Sequence, residues 1–483
     1  MESLGQLPAI QLQRDPIKGR SLHVVAPDGL RAGTVLFQEQ AFASVVLSAF
    51  KGAVCAVCLK DADPDICCDD CSQVTFCSDV CQAALDDVHQ LECATLEDID
   101  LFAKKSSADK DLLRLLARTL CRRVSPSSSS SSPPSTTVVP TFAQVDAMVH
   151  AASQLAPEWL ACVRHGATLL LASLPSACRV SVDDVVELAA RINENSYSLD
   201  AWTSVPHPAV CVGLFPLAAL LNHSCAPNCI WAHGGDGRME VRTTRFVPAG
   251  DELCFSYIDT HVPRVSRQAT LRATKHFDCR CRRCADPWSA TAMDSLLDGV
   301  CCGVCDSLMQ PDVGGRRCVR CESSFADDST IDELTTAAQR QLQHAHALVA
   351  KRQYADAKAT LLAKLEAPPS LFRLHESHHV STSSLQLLGD CEFKLGQFQV
   401  CVDHRQDLVA RLRCTTDAVS LAMAAAHADV GEVLDSGLRR HVWSDVDAKH
   451  AARQSHFDAS RAIRQVCLPS NHPAVLRGAT ALG

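Results

Sequence analysis

Cysteines at short, regular spacings constrain this chain more than any other feature of its sequence. Between positions 55 and 93 they stand as CAVC, CDDC, CSDVC and HQLEC. Two ligands separated by two or three residues can reach one tetrahedral ion. The segment has too few apolar residues to offset its chain entropy by burial, so we predict that zinc holds it together.

The four pairs are assigned alternately to two zinc ions, as an interleaved cross-brace. Cys68 is preferred to its neighbour Cys67, because only Cys68 leaves a two-residue gap before Cys71. The predicted ligands are Cys55, Cys58, Cys77 and Cys81 for one ion and Cys68, Cys71, His89 and Cys93 for the other.

A second cysteine-rich stretch covers 279–321. Its CRCRRC segment supplies Cys279, Cys281 and Cys284, one ligand short of a tetrahedral site. We predict that Cys225, within LLNHSCAPNC, is the fourth ligand and brings the two segments together. A further set has zinc-ribbon spacing and is a candidate for another ion, with ordinary reduced cysteines as the alternative. It comprises Cys302, Cys305, Cys318 and Cys321.

Composition excludes several classes of function. A length of 483 residues exceeds one ordinary core and predicts two to four domains. The net charge of −9 disfavours direct binding of nucleic acid. The sequence has no run of about 20 apolar residues, so no membrane span is predicted. The N-terminus lacks the hydrophobic stretch of a signal peptide. We therefore expect an intracellular protein, in which 27 reduced cysteines indicate metal binding.

Hydrophobic patterning predicts alternating β-rich and helical regions. A Ser- and Pro-rich loop at 125–140 cannot pack a core and is expected to be disordered. From about 328 onward, the hydrophobic pattern of two stretches predicts helix–turn–helix units like those of TPR proteins. An irregular helical bundle is the alternative. Strands are predicted at 21–26, 34–39, 43–50 and within 197–259, and helices at 96–124 and 141–192.

These motifs together resemble a known protein family. The first cysteine block resembles a MYND zinc finger, and NHSC resembles the signature of a SET domain. KGRSL (18–22), ELCFSYID (252–259) and HFDCRCRRC (276–284) follow in the order that a SET fold requires. A MYND finger between two halves of a SET domain, with a helical C-terminal lobe, resembles the SMYD family of protein lysine methyltransferases.

The resemblance implies an α+β fold. A β-rich SET core would be split by a MYND zinc finger and a helical insertion, then followed by a post-SET zinc cap and an α-helical TPR-like C-terminal lobe. The expected bounds are 1–50 and 191–262 for the two parts of the core, 51–95 for the finger, 96–190 for the insertion, 263–327 for the cap with the zinc-ribbon candidate, and 328–483 for the lobe.

The resemblance also implies transfer of a methyl group from S-adenosylmethionine to a lysine of a histone or another protein. Tyr257 would be the catalytic tyrosine that orients the amine, and Tyr197 would line the substrate channel. An apolar channel and a neighbouring sulfonium both favour the neutral amine, and alignment then lowers the barrier. The implied cofactor-binding residues are Lys18, Gly19, Arg20, Asn195, Asn222, His223, Tyr257 and Phe277.

Two positions depart from the family pattern. Ser21 stands where the family loop has a second glycine, which predicts weaker cofactor binding. Lys275 stands where the family often has an aromatic residue, and a cation there is expected to change the substrate or the number of methyl groups added.

The remaining expectations concern partners and the competing function. The protein is expected to be a monomer, cytoplasmic or nuclear or both, with three zinc ions and the fourth candidate. The finger would bind a proline-rich peptide. The alternative function is a catalytically weak scaffold or corepressor that recruits partners through its finger and its helical lobe.

Overall fold

The computed structural model describes residues 7–480, except for 17, 126–136, 202–208, 286–292, 313–314, 326–327 and 366–371. Over these residues the protein is a mixture of helix and sheet in which helix predominates. The predicted Ser/Pro loop lies largely outside the described residues, but Thr137–Val138, at its end, form a strand. No described helix is both long enough and apolar enough to cross a bilayer.

The chain opens with strands whose buried residues define one face of a core. Leu22 and Val24 are buried and His23 between them is only half-buried. The first two strands form an antiparallel hairpin. The first strand was not predicted, because only Ile10 and Leu12 show the alternation of apolar and polar residues that is typical of a strand. These strands are β1 (Ile10–Asp15), β2 (Gly19–Val24), β3 (Val35–Gln40) and β4 (Ser44–Val46).

The finger region folds as a small hairpin followed by a long helix. Ser78 caps the helix by accepting a hydrogen bond from the Cys81 N–H. The helix then carries His89 and Cys93 on successive turns toward the hairpin. The elements are β5 (Asp63–Cys67), β6 (Thr75–Phe76) and α1 (Asp79–Glu97).

A helical insertion packs against the finger. The Arg118 guanidinium lies 2.7 and 2.8 Å from the two carboxylate oxygens of buried Glu92 and donates to the Ser44 carbonyl at 3.0 Å. One side chain therefore joins the insertion to α1 and β4. The elements are α2 (Ile99–Ser106), α3 (Lys110–Val124), β7 (Thr137–Val138), α4 (Phe142–Asp146), α5 (Pro157–Ser173) and α6 (Val182–Asn195).

Strands that follow the insertion complete the sheets begun by β3 and β4. Val241 pairs opposite Phe37, and Val212 opposite Val45, so both sheets join the two halves of the core. Asn222 pairs in parallel with Cys254. The strands are β8 (Ser196–Leu199), β9 (Cys211–Leu214), β10 (Asn222–His223), β11 (Cys229–His233), β12 (Arg238–Thr243) and β13 (Cys254–Phe255).

A cap and a small ribbon connect the core to the C-terminal lobe. The ribbon pairs with the lobe through Val300 opposite Leu374 and through the Arg373–Asp306 ion pair. The elements are α7 (Arg264–Lys275), α8 (Arg282–Ala285), α9 (Met293–Leu297), β14 (Val300–Cys302), β15 (Met309–Asp312), β16 (Gly315–Cys318) and β17 (Ser324–Phe325).

The C-terminal lobe is helical, as predicted. Consecutive helices pack in pairs, and Gly431 lets one pair approach closely, since a Cβ there would lie 2.6 Å from the Phe457 ring. The elements are α10 (Asp328–Ala350), α11 (Tyr354–Leu365), β18 (Phe372–Leu374), α12 (His379–Lys394), α13 (Phe398–Thr415), α14 (Leu421–Arg439), α15 (Val446–Cys467) and α16 (Pro473–Thr480).

A histidine pair joins α14 to α15 and predicts acid sensitivity of the lobe. The Nδ1 atoms of His427 and His456 lie 2.9 Å apart, so one must donate and the other accept. Burial lowers the pKa of both rings, to about 4 for His456. Because these folded-state pKa values lie below the unfolded value of about 6.5, the unfolded state binds more protons as the pH falls from about 6.5 toward 4, and stability is lost in that window.

We expect the melting temperature of His456→Asn to depend less on pH than that of the wild type. The asparagine side chain keeps a hydrogen-bonding group near the Nδ1 position but does not titrate. Thermal unfolding measured between pH 4.5 and 7.5 checks this, and equal slopes for the two proteins would contradict it.

Candidate functional site

β10 places Asn222 and His223 between the start of β2 and β13, the strand that leads into Tyr257. The Asn222 amide donates to the Arg20 carbonyl at 3.0 Å and to the Glu252 carboxylate at 2.9 Å. His223 Nδ1 accepts the Tyr257 N–H at 3.1 Å. Burial lowers the pKa of His223 to about 4, so the neutral ring positions Tyr257.

Tyr257 has its hydroxyl group fixed by the backbone. Its Oη donates to the Leu221 carbonyl at 2.8 Å. Its ring centroid lies 5.4 Å from that of His223 and 5.3 Å from that of Phe255. Burial raises the pKa of Tyr257, so the phenol stays neutral. With its proton engaged, the oxygen can still accept a hydrogen bond from a ligand.

An aromatic cavity of about 360 Å³ is lined in part by Tyr257. Tyr197 meets Trp231 edge-on with ring centroids 5.4 Å apart, and Phe277 meets Tyr257 edge-on at 6.5 Å. We call this space the aromatic cavity, and its aromatic walls are Tyr197, Trp231, Phe255, Tyr257 and Phe277. The structure thus brings four residues with predicted roles to one space: Asn195, Tyr197, Tyr257 and Phe277.

Asn195 ends α6 at the polar side of the aromatic cavity. Its amide donates to the carbonyls of Val149 and Arg191, both at 2.8 Å. The neighbouring Glu194 carboxylate accepts the Ala151 N–H at 2.7 Å. These bonds fix the helix end, and with it the backbone that leads into Tyr197.

The predicted cofactor loop reaches a second opening through Lys18, which lines a cleft of about 610 Å³. Lys18 and Glu252 form an ion pair at its edge, and the Arg20 guanidinium donates to the Ala147 carbonyl. Gly19 has a φ of +80°, a conformation that a side chain would strain. The Arg20 carbonyl accepts from Asn222, and Lys18 pairs with the same Glu252 carboxylate that Asn222 binds. The loop therefore borders Asn222, and its role in cofactor binding stays a prediction.

The two departures from the family pattern have different surroundings. Ser21 is wholly buried, and its hydroxyl lies 3.1 Å from His23 Nε2. It lines neither the aromatic cavity nor the cleft, and its expected effect on cofactor binding stays a prediction. Lys275, in contrast, lines the aromatic cavity itself.

Each predicted set of zinc ligands forms one compact cluster. Within each of the four sets the ligand atoms all lie within 4.8 Å of one another. A tetrahedron with Zn–S bonds of 2.3 Å has edges of about 3.8 Å, and pairs such as Cys58–Cys77 at 3.4 Å and Cys68–Cys93 at 3.5 Å approach this spacing. Cys68 belongs to its cluster, whereas Cys67 does not. The chemistry of these donor sets fits zinc.

The residues around the clusters suit bound zinc as well. His89 Nε2 faces Cys71 at 3.6 Å, while its Nδ1 lies 3.3 Å from the Glu92 carboxylate. A carboxylate that holds the outer ring nitrogen fixes the tautomer of a metal-binding histidine. Glu92 is fixed in turn by Arg118, so the insertion supports the finger's second site.

Cys225 joins the NHSC segment to the cap. Its sulfur lies 3.5 Å from that of Cys284 and 4.0 Å from that of Cys279. The cap is held by Arg267, which is wholly buried and forms two hydrogen bonds of 2.7 and 2.6 Å with Asp294. Neither Arg267 nor Asp294 was predicted, because a long-range ion pair leaves no local pattern.

Four other site residues also escaped prediction. Glu252 and Phe255 stood within the ELCFSYID segment, but only the fold shows that Glu252 binds Asn222 and that Phe255 lines the aromatic cavity. Trp231 lies in a strand and Glu194 lies at the end of a helix, and no role was predicted for either residue. Their proximity to residues with predicted roles, one to six positions along the chain, was the only available signal.

The zinc-ribbon cluster is the most exposed of the four. Cys321 is exposed, and the sulfurs of Cys305 and Cys318 lie 3.3 Å apart. We expect Cys321→Ser to contain one zinc ion fewer than the wild type and to keep its core intact. Zinc content by atomic emission checks this. An unchanged zinc content would contradict it, and Cys414→Ser, an exposed cysteine outside the clusters, is the control.

Comparison with known proteins agrees with this geometry. Residues 23–258 match the profile of the SET domain. The Mus musculus protein "Histone-lysine N-methyltransferase SMYD3" is 28% identical over 270 residues, 55% of this chain and 59% of the relative. "N-lysine methyltransferase SMYD2" of Bos taurus is 28% identical over 269 residues, which are 56% of this chain and 58% of the relative. The protein of the same name from Gallus gallus is 26% identical over 283 residues, which are 59% of this chain and 61% of the relative.

The fold and the site define a SET-domain protein, whose matched range encloses the finger region and the helical insertion. Within this class, the similarity to SMYD2 and SMYD3 supports the SMYD family that the motifs predicted. It spans less than two thirds of the length of the curated relatives it matches.

Proposed function

We propose that the protein is a protein-lysine N-methyltransferase that uses S-adenosylmethionine. The observation that carries the proposal is the meeting of Asn195, Tyr197, Tyr257 and Phe277 at one aromatic cavity, with His223 accepting the Tyr257 N–H beside it. The acceptor would be a lysine of a histone or another protein, and the proline-rich ligand of the finger stays a prediction.

The residues around the aromatic cavity fit this cofactor. Aromatic faces stabilise a cationic centre, and five such side chains line the space. Lys18 and Arg20 can complement a carboxylate, while Asn222 and Phe277 would hold the nucleoside portion. When bound, S-adenosylmethionine supplies an electrophilic methyl group on a sulfonium.

The protein's own groups would then prepare the amine. A free lysine has a pKa of about 10.4, and the aromatic walls disfavour its charged form by removing water. Tyr257 donates its only proton to Leu221, so its oxygen is left to accept an N–H of the amine and to orient the lone pair. Alignment of this kind supplies several kcal/mol of the barrier reduction.

Calorimetric titration of the zinc-replete protein with S-adenosylmethionine tests the proposal. We expect micromolar binding by the wild type and binding weakened by about 10- to 100-fold in Asn222→Ala, which loses one hydrogen bond to a backbone carbonyl and one to a carboxylate. Asn471→Ala, an exposed amide bonded to Gly234, is the control. Absence of binding by the wild type would contradict the proposal and favour the scaffold function.

A further inference from the structure

Lys275 carries the only amine among the described residues that line the aromatic cavity. It is the last residue of α7. The next residue, His276, has a φ of +60° and turns the chain so that Phe277 reaches the same cavity. A lysine and an aromatic wall residue two positions apart therefore share one space.

The amine of Lys275 is held inside this space. Its Nζ donates to the Glu194 carbonyl at 2.6 Å and lies 5.7 Å from the centroid of the Tyr257 ring. Tyr257 is the residue to which the proposed function assigns the orientation of the acceptor amine. The Lys275 amine thus already lies in the region that an incoming lysine has to reach.

The surroundings also favour the neutral form that a nucleophile needs. Burial lowers the pKa of Lys275, and the nearby Glu194 opposes this shift. Lys18 lies at the adjoining cleft. Burial lowers its pKa as well, but the ion pair with Glu252 outweighs this effect and leaves the pKa of Lys18 raised. Of these two lysines, Lys275 is the one suited to accept an alkyl group.

We propose that Lys275 is methylated by the protein's own active site, an inference that rests on the function proposed above. The Lys275 ammonium first gives one proton to solvent. The Nζ lone pair then forms the new N–C bond as the C–S bond of the sulfonium breaks. The electrons of that bond remain on sulfur, which leaves neutral S-adenosylhomocysteine and a methylated, cationic Lys275.

Incubation with S-adenosylmethionine carrying an isotopically labelled methyl group, followed by peptide mapping, tests this directly. We expect the label on Lys275 to exceed that on Lys18 or on exposed Lys351 by about tenfold or more, as expected from the proximity of the amine to the site. Lys275→Arg keeps the positive charge but should lose the label. The rate per molecule should not change with protein concentration, because the acceptor and the site belong to one chain.

A binding measurement without turnover gives a second readout. Trace acetylation with acetic anhydride reports how accessible each lysine amine is. We expect saturating S-adenosylhomocysteine to slow acetylation of Lys275 by about fivefold or more, the loss of reactivity expected of a covered amine, and to leave Lys351 unchanged. Unchanged acetylation of Lys275 while calorimetry shows bound S-adenosylhomocysteine would overturn the inference.

The outcomes separate this inference from the proposed function. If the wild type methylates proteins of an added lysine-rich histone preparation while Lys275 stays unlabelled, the inference fails and the proposed function stands. If no protein, Lys275 included, is labelled despite bound cofactor, both fail. Label on Lys275 that Lys275→Arg removes, together with protection by S-adenosylhomocysteine, supports the inference.

Discussion

Cys225→Ala is expected to remove one zinc ion from the purified protein and to abolish binding of S-adenosylmethionine. Cys225 is buried and supplies one of the four sulfurs of the cap cluster, together with Cys279, Cys281 and Cys284. Three ligands hold zinc far less tightly than four, and coordination contributes directly to folding free energy. We expect the free energy of unfolding to fall by at least about 4 kcal/mol, as for loss of a structural metal.

Binding is lost in this variant because Cys225 lies two residues after His223. The His223 Nε2 atom is 3.2 Å from the Cys225 sulfur, and Arg283 of the cap donates to the Cys225 carbonyl at 3.1 Å. Phe277, from the cap, would no longer be held against the aromatic cavity.

Cys229→Ala is the matched control, because Cys229 is equally buried in the same decapeptide but belongs to no described ligand cluster. It should keep every zinc ion and lose about 1 kcal/mol, the usual effect of a small core truncation. Zinc analysis and calorimetry on both variants decide the matter. Retention of zinc and cofactor binding in Cys225→Ala would show that the cap cluster is not a metal site.

The candidate metal ligands could be predicted because coordination of zinc imposes its geometry on the local sequence. Two-residue and three-residue gaps are needed for two side chains to reach one ion, and this requirement separated Cys68 from Cys67. Cys225 was found from the missing fourth ligand. The fold confirms the β-rich SET core and the helical lobe at this coarse level, since hydrophobic patterning reflects which face of an element is buried.

What could not be predicted depends on contacts between distant segments. Glu252 binds Asn222 across the β10–β13 pair, and Arg267 binds Asp294 from another helix. No spacing rule signals either pair. Ser21 illustrates the same limit: its position in a motif predicts an effect on the cofactor, and only the fold shows that its side chain is buried against His23. A motif specifies an order of residues, and only the fold specifies which way each side chain faces.

Tyr257→Phe should reduce methyl transfer by about 100-fold or more while leaving the dissociation constant for S-adenosylmethionine within about threefold of the wild type. The substitution removes only the hydroxyl group, whose proton is bonded to the Leu221 carbonyl and whose oxygen is available to the amine. Loss of one preorganised group at a reacting centre costs about 10²–10³ in rate, whereas the ring contacts with His223 and Phe277 remain.

The chain's three tyrosines supply the control for this prediction. Tyr354→Phe removes a hydroxyl group from the first residue of α11, in the C-terminal lobe, and should leave the rate unchanged. Single-turnover methylation of a histone preparation, measured beside calorimetric titration, separates the chemical step from binding. Equal rates for Tyr257→Phe and the wild type would remove Tyr257 from the mechanism. Parallel losses of rate and cofactor affinity would instead assign it to binding, because an interaction formed only in the transition state leaves the ground-state complex unchanged.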